Sequence, residues 1–590
     1  MPVRDVHFGP NSVTQRTSPD GSIYVESIYP LESYPERLTD CLDFWASSTP
    51  ERVFLGQRDE RGAWRTRTYA ETRSAARNIA QALLARRVSI ERPIAILSGN
   101  DIEHALLGLG AMYAGIPYSP ISTAYSLISS DFGKLRHIFG LLTPGLVYAS
   151  DARAYHKAIE AVVTPDMEVL TRETFAQLVE ASSPGDRAQA AVNPDTIAKI
   201  LFTSGSTGVP KGVINTQRML TSNQEIVRSI LAFVAEEPPV LCDWMPWNHT
   251  FGGNHDVGFV LYNGGSLYID EGKPTPGGIE TTIGNLEDVA PTVYLNVPKG
   301  FEALLPYLRD RPGFRERFFS RLKLLYYAGA GISQPVWDEL QQHAVAACGE
   351  QIVMFTGLGS TETGPAALFP GKDLRRAGDV GLPAPGVELK LVPFGNKLEM
   401  RLRGPSVFPG YWREPELTRA AFDDEGFYRI GDALRFVDPA DVSKGFAFDG
   451  RLAEDFKLST GTWVSAGPLR ARFLHHCSPW AQDIVIAGHD RDEVGALIFP
   501  STGACAGLSP EQMHAKFQSL LHELAEASTG SSNRIARAML MTEPPSIDKH
   551  EATDKGSLNQ GAILRNRAEL VEELYSARPS PRVIMVGRGR

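Results

Sequence analysis

Residues 201–212 read LFTSGSTGVPKG, an apolar run that breaks into glycines, four hydroxyl side chains (Thr203, Ser204, Ser206, Thr207) and one lysine, Lys211. Phe202 and its apolar neighbours read as the end of a buried strand. Gly205 and Gly208 tolerate positive φ, so the backbone N–H groups can turn inward around an anion, while the hydroxyls and Lys211 add donors and charge. That composition suits a polyphosphate. It also suits an ordinary Ser/Gly-rich surface turn. The common phosphate-loop pattern does not apply, because it needs Gly directly before Lys-Ser/Thr, and here Pro210 precedes Lys211 and Gly212 follows it.

Later segments carry further candidate chemistry. MFTGLGSTETG at 354–364 contains a G-x-G pair but has Glu362 where a dinucleotide fingerprint has its third glycine, so alone it reads as another turn. YRIGD at 428–432 alone reads as a strand end with a Gly-Asp turn, and GRLAEDFK follows at 450–457. DWMPWNHTFGGNHDVG at 243–258 offers His249, His255 and Asp256 as conceivable metal ligands. Nothing there fixes a helical i, i+4 geometry, and packing or substrate contact is preferred. YYAGAGIS at 326–333 reads as a close strand-to-loop turn, and EATDKGSLNQ at 551–560 presents Lys555, with Lys549 as the competing lysine and a solvated surface position as the plain alternative.

In their order and approximate spacing, these segments resemble the motifs of the adenylate-forming superfamily, which includes acyl-CoA synthetases, peptide-synthetase adenylation domains and luciferases. The resemblance implies that Thr203, Ser204, Gly205, Ser206, Thr207 and Lys211 hold the β- and γ-phosphates of ATP. It implies that Gly357, Leu358, Gly359 and Ser360 lie against adenine, that Thr361 meets the α-phosphate and that Glu362 binds Mg²⁺, a hard ion suited to a carboxylate and phosphate oxygens. Gly329, Ala330 and Gly331 would approach adenine and the substrate together. Asp432 would accept from the ribose hydroxyls and Arg451 would reach the ribose. Glu454 would sit at an interdomain hinge and Lys457 would face the CoA side. His249 would lie beside the reacting carboxylate, Phe251 on the acyl-pocket wall, and Lys555 would bridge carboxylate and α-phosphate. Lys555 is preferred to Lys549 because Thr553 and the following helix, SLNQGAILRNRAELVEEL, fit the family layout. The chain departs from the pattern at Leu358, often aromatic, at Ile430, commonly Thr, at Ala453, usually Lys, and at Asp554, normally Gly.

Such an enzyme uses ATP, Mg²⁺ and coenzyme A to convert a small carboxylic acid to an acyl-adenylate and then a thioester. Within the superfamily the runs at 92–122 and 246–276, and the DKGSLNQ ending, are most similar to feruloyl-CoA synthetases, implying hydroxycinnamates such as ferulate, p-coumarate or caffeate. The alternatives are a ligase for medium-chain fatty or benzoic acids, and a catalytically degenerate nucleotide-binding protein suggested by Ala453 and the surroundings of Lys555. No carrier-protein motif is seen after residue 560, so free CoA is the expected acceptor. Family habit implies a homodimer.

The elements that must position these residues follow from pattern and length. At roughly 100–200 residues per domain, 590 residues demand several units. Strand runs such as RPIAILS (92–98), GLVYAS (145–150) and KILFT (199–203) alternate with helical ones such as IEHALLGLGAMYAG (102–115) and one opening at Pro35–Ser48, which predicts layered α/β structure with largely parallel sheets. The first thirty residues read as irregular. A large domain is expected over 1–449, with α/β subdomains at 30–380 and a β-rich subdomain at 380–449, and a small α+β domain over 450–590. The five separated cysteines form no CxxC pair and read as reduced thiols. A net charge of −10 argues against a nucleic-acid surface. With no apolar leader or membrane-length run, the expectation is a cytoplasmic protein without membrane partners.

Overall fold

The computed structural model describes residues 2–180, 191–203, 208–371, 376–553 and 557–587. The continuous apolar runs become central strands: Ile94–Leu97 and Leu146–Ala149 are buried at every position, as parallel strands covered on both faces must be. They belong to a six-stranded sheet ordered Lys211–Thr216, Ile197–Thr203, Tyr118–Pro120, Ile94–Leu97, Leu146–Ala149, Glu168–Thr171. All neighbours are parallel except Lys211–Thr216, which returns antiparallel on Ile197–Thr203. The helix Ile102–Ala114 begins where the Asp101 side chain accepts from His104 N and ends at Gly115 with φ 68°, a polar start and a left-handed glycine stop.

A second set of parallel strands, Val293–Asn296, Leu324–Tyr327 and Val353–Thr356, forms its own sheet. Thr292 N donates to Val240 O at 3.0 Å, which joins this sheet to the one containing Val240–Asp243, Ser266–Ile269, Val53–Arg58 and Trp64–Thr68. Ligands of open α/β sheets bind outside the carboxyl ends of strands. The loops leaving Asp243, Tyr327 and Thr356 at those ends are the segments 244–250, 328–333 and 357–360.

An eight-stranded antiparallel sheet follows the order Val13–Thr17, Ile23–Ser27, Glu388–Phe394, Lys397–Arg403, Tyr428–Phe436, Phe446–Arg451, Asp379–Pro383, Leu368–Phe369. Its first two strands correct the expectation that residues 1–30 are irregular. The Asp20 side chain accepts from Ser22 N and Ser22 Oγ to form their turn, and Ile23–Glu26 pairs with Glu388–Leu391. The long-range partner, some 360 residues away, is what a local reading of a five-residue run lacks.

The large core ends at Phe446, and a separate core starts at Phe456 around Phe473, Ile484, Ile498, Phe517 and Ile584. It packs the sheet Ala481–Ala487, Val494–Pro500, Ile535–Leu540 and Val583–Met585 against the helices Ala466–Cys477 and Pro510–Glu526. The expected helix after Ser557 is broken at Arg567 into Gln560–Asn566 and Ala568–Leu574. Arg567 holds the chain that leads to residue 553: it donates from Nε and Nη2 to Glu551 at 3.0 and 2.7 Å, and to the carbonyls of Glu543 and Pro544. The five cysteines are free, and no helix among the described residues is long and apolar enough to cross a membrane. Because Arg567→Ala strands the buried Glu551 carboxylate, it should destabilise the small domain by about 3–5 kcal/mol; urea unfolding followed by tryptophan fluorescence measures the loss, and an unchanged midpoint would contradict it.

Candidate active site

The antiparallel return places Thr203 directly opposite Lys211, so the two strand ends that flank the hydroxyl-rich segment face each other. Ser204, Gly205, Ser206 and Thr207 lie outside the described residues. Gly208 has φ 84°, and a Cβ there would come 2.8 Å from Cβ of His550, so glycine is needed for both conformation and close approach. Thr203 Oγ1 is buried without a hydrogen-bond partner among the described residues. Lys211 Nζ donates to Tyr411 Oη at 2.6 Å, the phenol donates to Glu362 Oε1 at 3.0 Å, and the two charges stand 3.8 Å apart. Burial lowers the Lys211 pKa, while the charges of Glu362 and Glu414 work in the opposite direction.

Thr361 and Glu362 are buried in a short 3₁₀ turn, Thr361–Thr363, closed by Ser360 N donating to Thr363 Oγ1 at 2.8 Å. Leu358 N donates to Leu368 O at 3.0 Å, a bridge that ties Leu358 to the edge strand Leu368–Phe369. A Cβ at Gly359 would fall 1.7 Å from Pro365 O, and one at Gly357 2.4 Å from Tyr326 Oη; neither position accepts another residue without a shift. Gly329, Ala330 and Gly331 form an exposed loop directly after the strand ending at Tyr327. Asp432 and Arg451 are paired across neighbouring strands, with Arg451 Nε 3.7 Å from Asp432 Oδ1. Burial raises the Asp432 carboxyl to about 6 against the pull of Arg451.

The segment 243–258 is held at its start by Asn100, which donates to Met245 O and accepts from Trp247 N. His249 is buried, and Phe251–Asp256 forms a π-helix that runs into the helix Val257–Asn263. Such wide turns occur often at functional sites. Lys199, from the strand leading to the hairpin, donates to Gly253 O at 2.9 Å, and burial lowers its pKa to about 7. The His255 ring lies flat against Tyr326, with centroids 5.1 Å apart, and edge-on to Phe251 at 5.6 Å. Its Nδ1 is 3.0 Å from Asp256 Oδ1, and burial lowers its pKa to about 3, so the ring is neutral. Burial also raises the carboxyls of Asp243 and Asp256. These two carboxyls hydrogen-bond each other, whereas His255 Nε2 has no hydrogen-bond partner among the described residues. Among the described residues no group of three or more His, Cys, Asp or Glu is placed to hold a metal ion.

At the junction with the small domain, Leu452–Glu454 forms one 3₁₀ turn, with Glu454 half-buried and Lys457 exposed beside Trp463. Lys397 ties both flanks of this turn, donating to Asp449 O at 2.6 Å and pairing with Asp455 at 2.5 Å. The small domain reaches back through Asp548, which accepts from the Ser129 and Ser130 hydroxyls at 2.7 and 2.8 Å, and through His550 at Gly208. Lys555 lies outside the described residues; its flanks Thr553 and Ser557 are hydrogen-bonded to each other, Thr553 N to Ser557 O at 2.9 Å. Lys549 is exposed, with its backbone bonded to Ser546 and Asn566. Tyr411, Lys397, Asp548 and Asp243, the partner of Asp256, were not singled out by sequence motifs. For Tyr411 the available signal was its place in FPGYW at 408–412, an aromatic group after a Pro-Gly turn.

The AMP-binding enzyme family matches residues 42–412, and its C-terminal domain family matches 455–579. A carboxylic acid reductase from Mycobacterium marinum is 27% identical over 82% of this chain and 44% of its own length. An anthranilate–CoA ligase from Pseudomonas aeruginosa is 28% identical over 50% of this chain and 54% of its own. The chain thus spans about half the length of these relatives. Among solved structures, the anthranilate CoA ligase AuaEII with anthranoyl-AMP has a TM-score of 0.73 at 20% identity, covering 92% of this chain and 99% of that one. ATP-bound MatB from Rhodopseudomonas palustris has a TM-score of 0.68 at 21% identity, covering 90% and 99%. With a family match over most of its length and the adenylate-forming fold of a large α/β domain and a small C-terminal domain, the chain belongs to the AMP-binding enzyme family.

Proposed function

We propose that this chain is an ATP-dependent acid:CoA ligase that activates a hydroxycinnamic acid such as ferulate, p-coumarate or caffeate as its acyl-adenylate and then forms the CoA thioester. The observation that carries the reading is the convergence of the Thr203–Lys211 hairpin ends on Glu362, with Asp432 and Arg451 paired on the adjoining sheet. Family membership and a relative described as an anthranilate–CoA ligase support the reaction class.

A carboxylate is a poor electrophile, since its charge repels nucleophiles and oxide is a poor leaving group. In the proposed reaction a carboxylate oxygen attacks the α-phosphorus of ATP, the bond to the bridging oxygen breaks, and pyrophosphate leaves. The thiol of CoA then attacks the acyl carbon and AMP leaves with the carbon–oxygen electron pair. Lys211 and the hairpin would hold the β- and γ-phosphates, Thr361 the α-phosphate, and Lys555 both reacting groups in line. Leu358, with Gly357, Gly359 and Ser360, and the loop Gly329, Ala330, Gly331 would flank adenine, while Asp432 and Arg451 fix the ribose. Glu362, buried and presenting carboxylate oxygens beside the hairpin, fits Mg²⁺, which when bound neutralises phosphate charge as a Lewis acid. A domain boundary at 450, with the turn at Glu454 as hinge, would let the small domain alternate between the two steps and bring Lys457 to the CoA side.

The acid is suggested by the wall beside His249. Phe251, His255 and Tyr326 provide aromatic faces, and His255 Nε2 is buried without a hydrogen-bond partner among the described residues, beside the paired carboxyls of Asp243 and Asp256. A hydroxylated aromatic acid can engage both the rings and the His255 nitrogen, whereas a plain alkyl chain leaves that nitrogen unpaired, which disfavours it.

Pyrophosphate release with ATP and Mg²⁺ should be fastest with ferulate or p-coumarate and slow with benzoate and octanoate, with cinnamoyl thioester absorbance appearing only when CoA is added; preference for octanoate would move the substrate to fatty acids. Lys555→Ala should abolish adenylate formation and leave thioester formation from preformed adenylate largely intact, and normal activity would shift the role to Lys549. Because its raised pKa makes Asp432 neutral as pH falls through about 6, AMP binding measured by calorimetry should weaken below that pH, up to about tenfold per unit. Asp432→Asn should bind weakly and without that dependence; an unchanged profile would contradict the ribose role.

A further inference from the structure

Tyr411 lies outside the segments singled out in the sequence, within the region matched by the family, and it joins two of those segments. Its phenol accepts from Lys211 Nζ at 2.6 Å and donates to Glu362 Oε1 at 3.0 Å. The ammonium also sits over the ring, 4.1 Å from its centroid. The ring is buried and cannot swing away, since Phe408 packs edge-on at 4.8 Å and shares an apolar cluster with Val213, Met219 and Tyr428.

The backbone around it is fixed to both motifs. Trp412 N donates to Gly212 O at 2.7 Å and Ile214 N to Gly410 O at 3.2 Å, so the segment runs beside the hairpin strand. Phe408 N donates to Glu362 O at 2.8 Å, and Tyr411 N donates to Thr418 Oγ1 at 2.9 Å. Residues 408–412 therefore hold the lysine strand and the glutamate turn at a set separation, with the phenol between their charges.

The spacing matters because the side chains of Lys211 and Glu362 are only 25% and 8% exposed. In such surroundings an ammonium and a carboxylate attract far more strongly than in water. Among the described residues the phenol oxygen is the group hydrogen-bonded to both, so its removal favours closure from 3.8 Å to a direct ion pair. A closed pair would neutralise the carboxylate required by a metal and withhold the lysine from phosphate. A neutral phenol is a weaker partner than a charged one, so its hydrogen bond to the lysine exchanges more readily for a phosphate oxygen.

We propose that Tyr411 is a positioning residue that keeps Lys211 and Glu362 from collapsing onto each other, leaving the lysine available to a phosphate of ATP and the carboxylate to Mg²⁺. The identity of these ligands rests on the proposed function. The test is equilibrium binding of an ATP analogue with a methylene group between the α- and β-phosphorus atoms, which cannot be cleaved there, titrated against Mg²⁺. Tyr411→Phe keeps the ring and its packing and should raise the Mg²⁺ concentration for half-maximal analogue binding about tenfold, with the KM for the acid unchanged. In a Lys211→Met background there is no ammonium to collapse, so adding Tyr411→Phe should no longer shift the Mg²⁺ dependence. An unchanged Mg²⁺ dependence in Tyr411→Phe, or the same shift in the Lys211→Met background, would overturn the proposal while leaving the ligase reading in place. Failure of the unaltered protein to bind the analogue at any Mg²⁺ concentration would overturn both.

Discussion

An ammonium and a carboxylate that face each other in a partly desolvated cleft need fixed supports, and the pairing of Lys211 with Glu362 imposes that demand on three separate parts of this chain. Lys211 comes from the strand that folds back on Ile197–Thr203, Glu362 from the turn after Val353–Thr356, and Tyr411 from a segment hydrogen-bonded to both. The parallel sheets supply the supports. Their central strands are buried at every position, so each loop leaving a carboxyl end begins from a defined point. The antiparallel sheet then brings Asp432 and Arg451 into register as cross-strand partners.

The same economy of supports is seen where the domains meet. Lys397, from the large domain, holds Asp449 O on one side of the Leu452–Glu454 turn and Asp455 on the other. Asp455 also accepts from Ala466 N at the start of the helix Ala466–Cys477. On the far side, Asp548 and His550 meet the large domain at Ser129, Ser130 and Gly208. The small domain is therefore attached through polar contacts at its edges and through Ile547, which packs on the large-domain cluster around Tyr125 and Ile138, while its own apolar core stays separate. Polar contacts can be exchanged for water, whereas a shared core could not be parted without exposing apolar surface. That arrangement is compatible with a domain that changes orientation between two half-reactions.

Much of this was legible in the sequence because glycines and short-range periodicity carry local information. The run KILFT gave a strand, and IEHALLGLGAMYAG gave a helix that ends at Gly115. The glycines at 357 and 359 were legible as turns, and the structure adds the reason: Tyr326 Oη and Pro365 O occupy the space a Cβ would need. What stayed hidden depends on distant partners. The strand Ile23–Ser27 is stabilised by Glu388–Leu391, and the break at Arg567 by Glu551 and two carbonyls. Tyr411 is the clearest instance, since its phenol acquires meaning only when residues 200 positions upstream and 49 upstream come to either side of it. The polar group formed by Asp243, His255 and Asp256 was partly legible as two histidines in an aromatic stretch, but the π-helix that sets their geometry follows no spacing rule for an ordinary helix.

The central claim is that the acid carboxylate itself attacks the α-phosphorus of ATP, and isotope transfer tests it most directly. Ferulate carrying ¹⁸O in both carboxylate oxygens would be turned over with ATP, Mg²⁺ and CoA, and the AMP analysed by mass spectrometry. One ¹⁸O atom in each AMP formed is the predicted result, because the bridging oxygen of the adenylate departs with AMP when the thiol attacks. AMP free of label, with the isotope retained in the acid or appearing in inorganic phosphate, would contradict an adenylate intermediate and with it the proposed function.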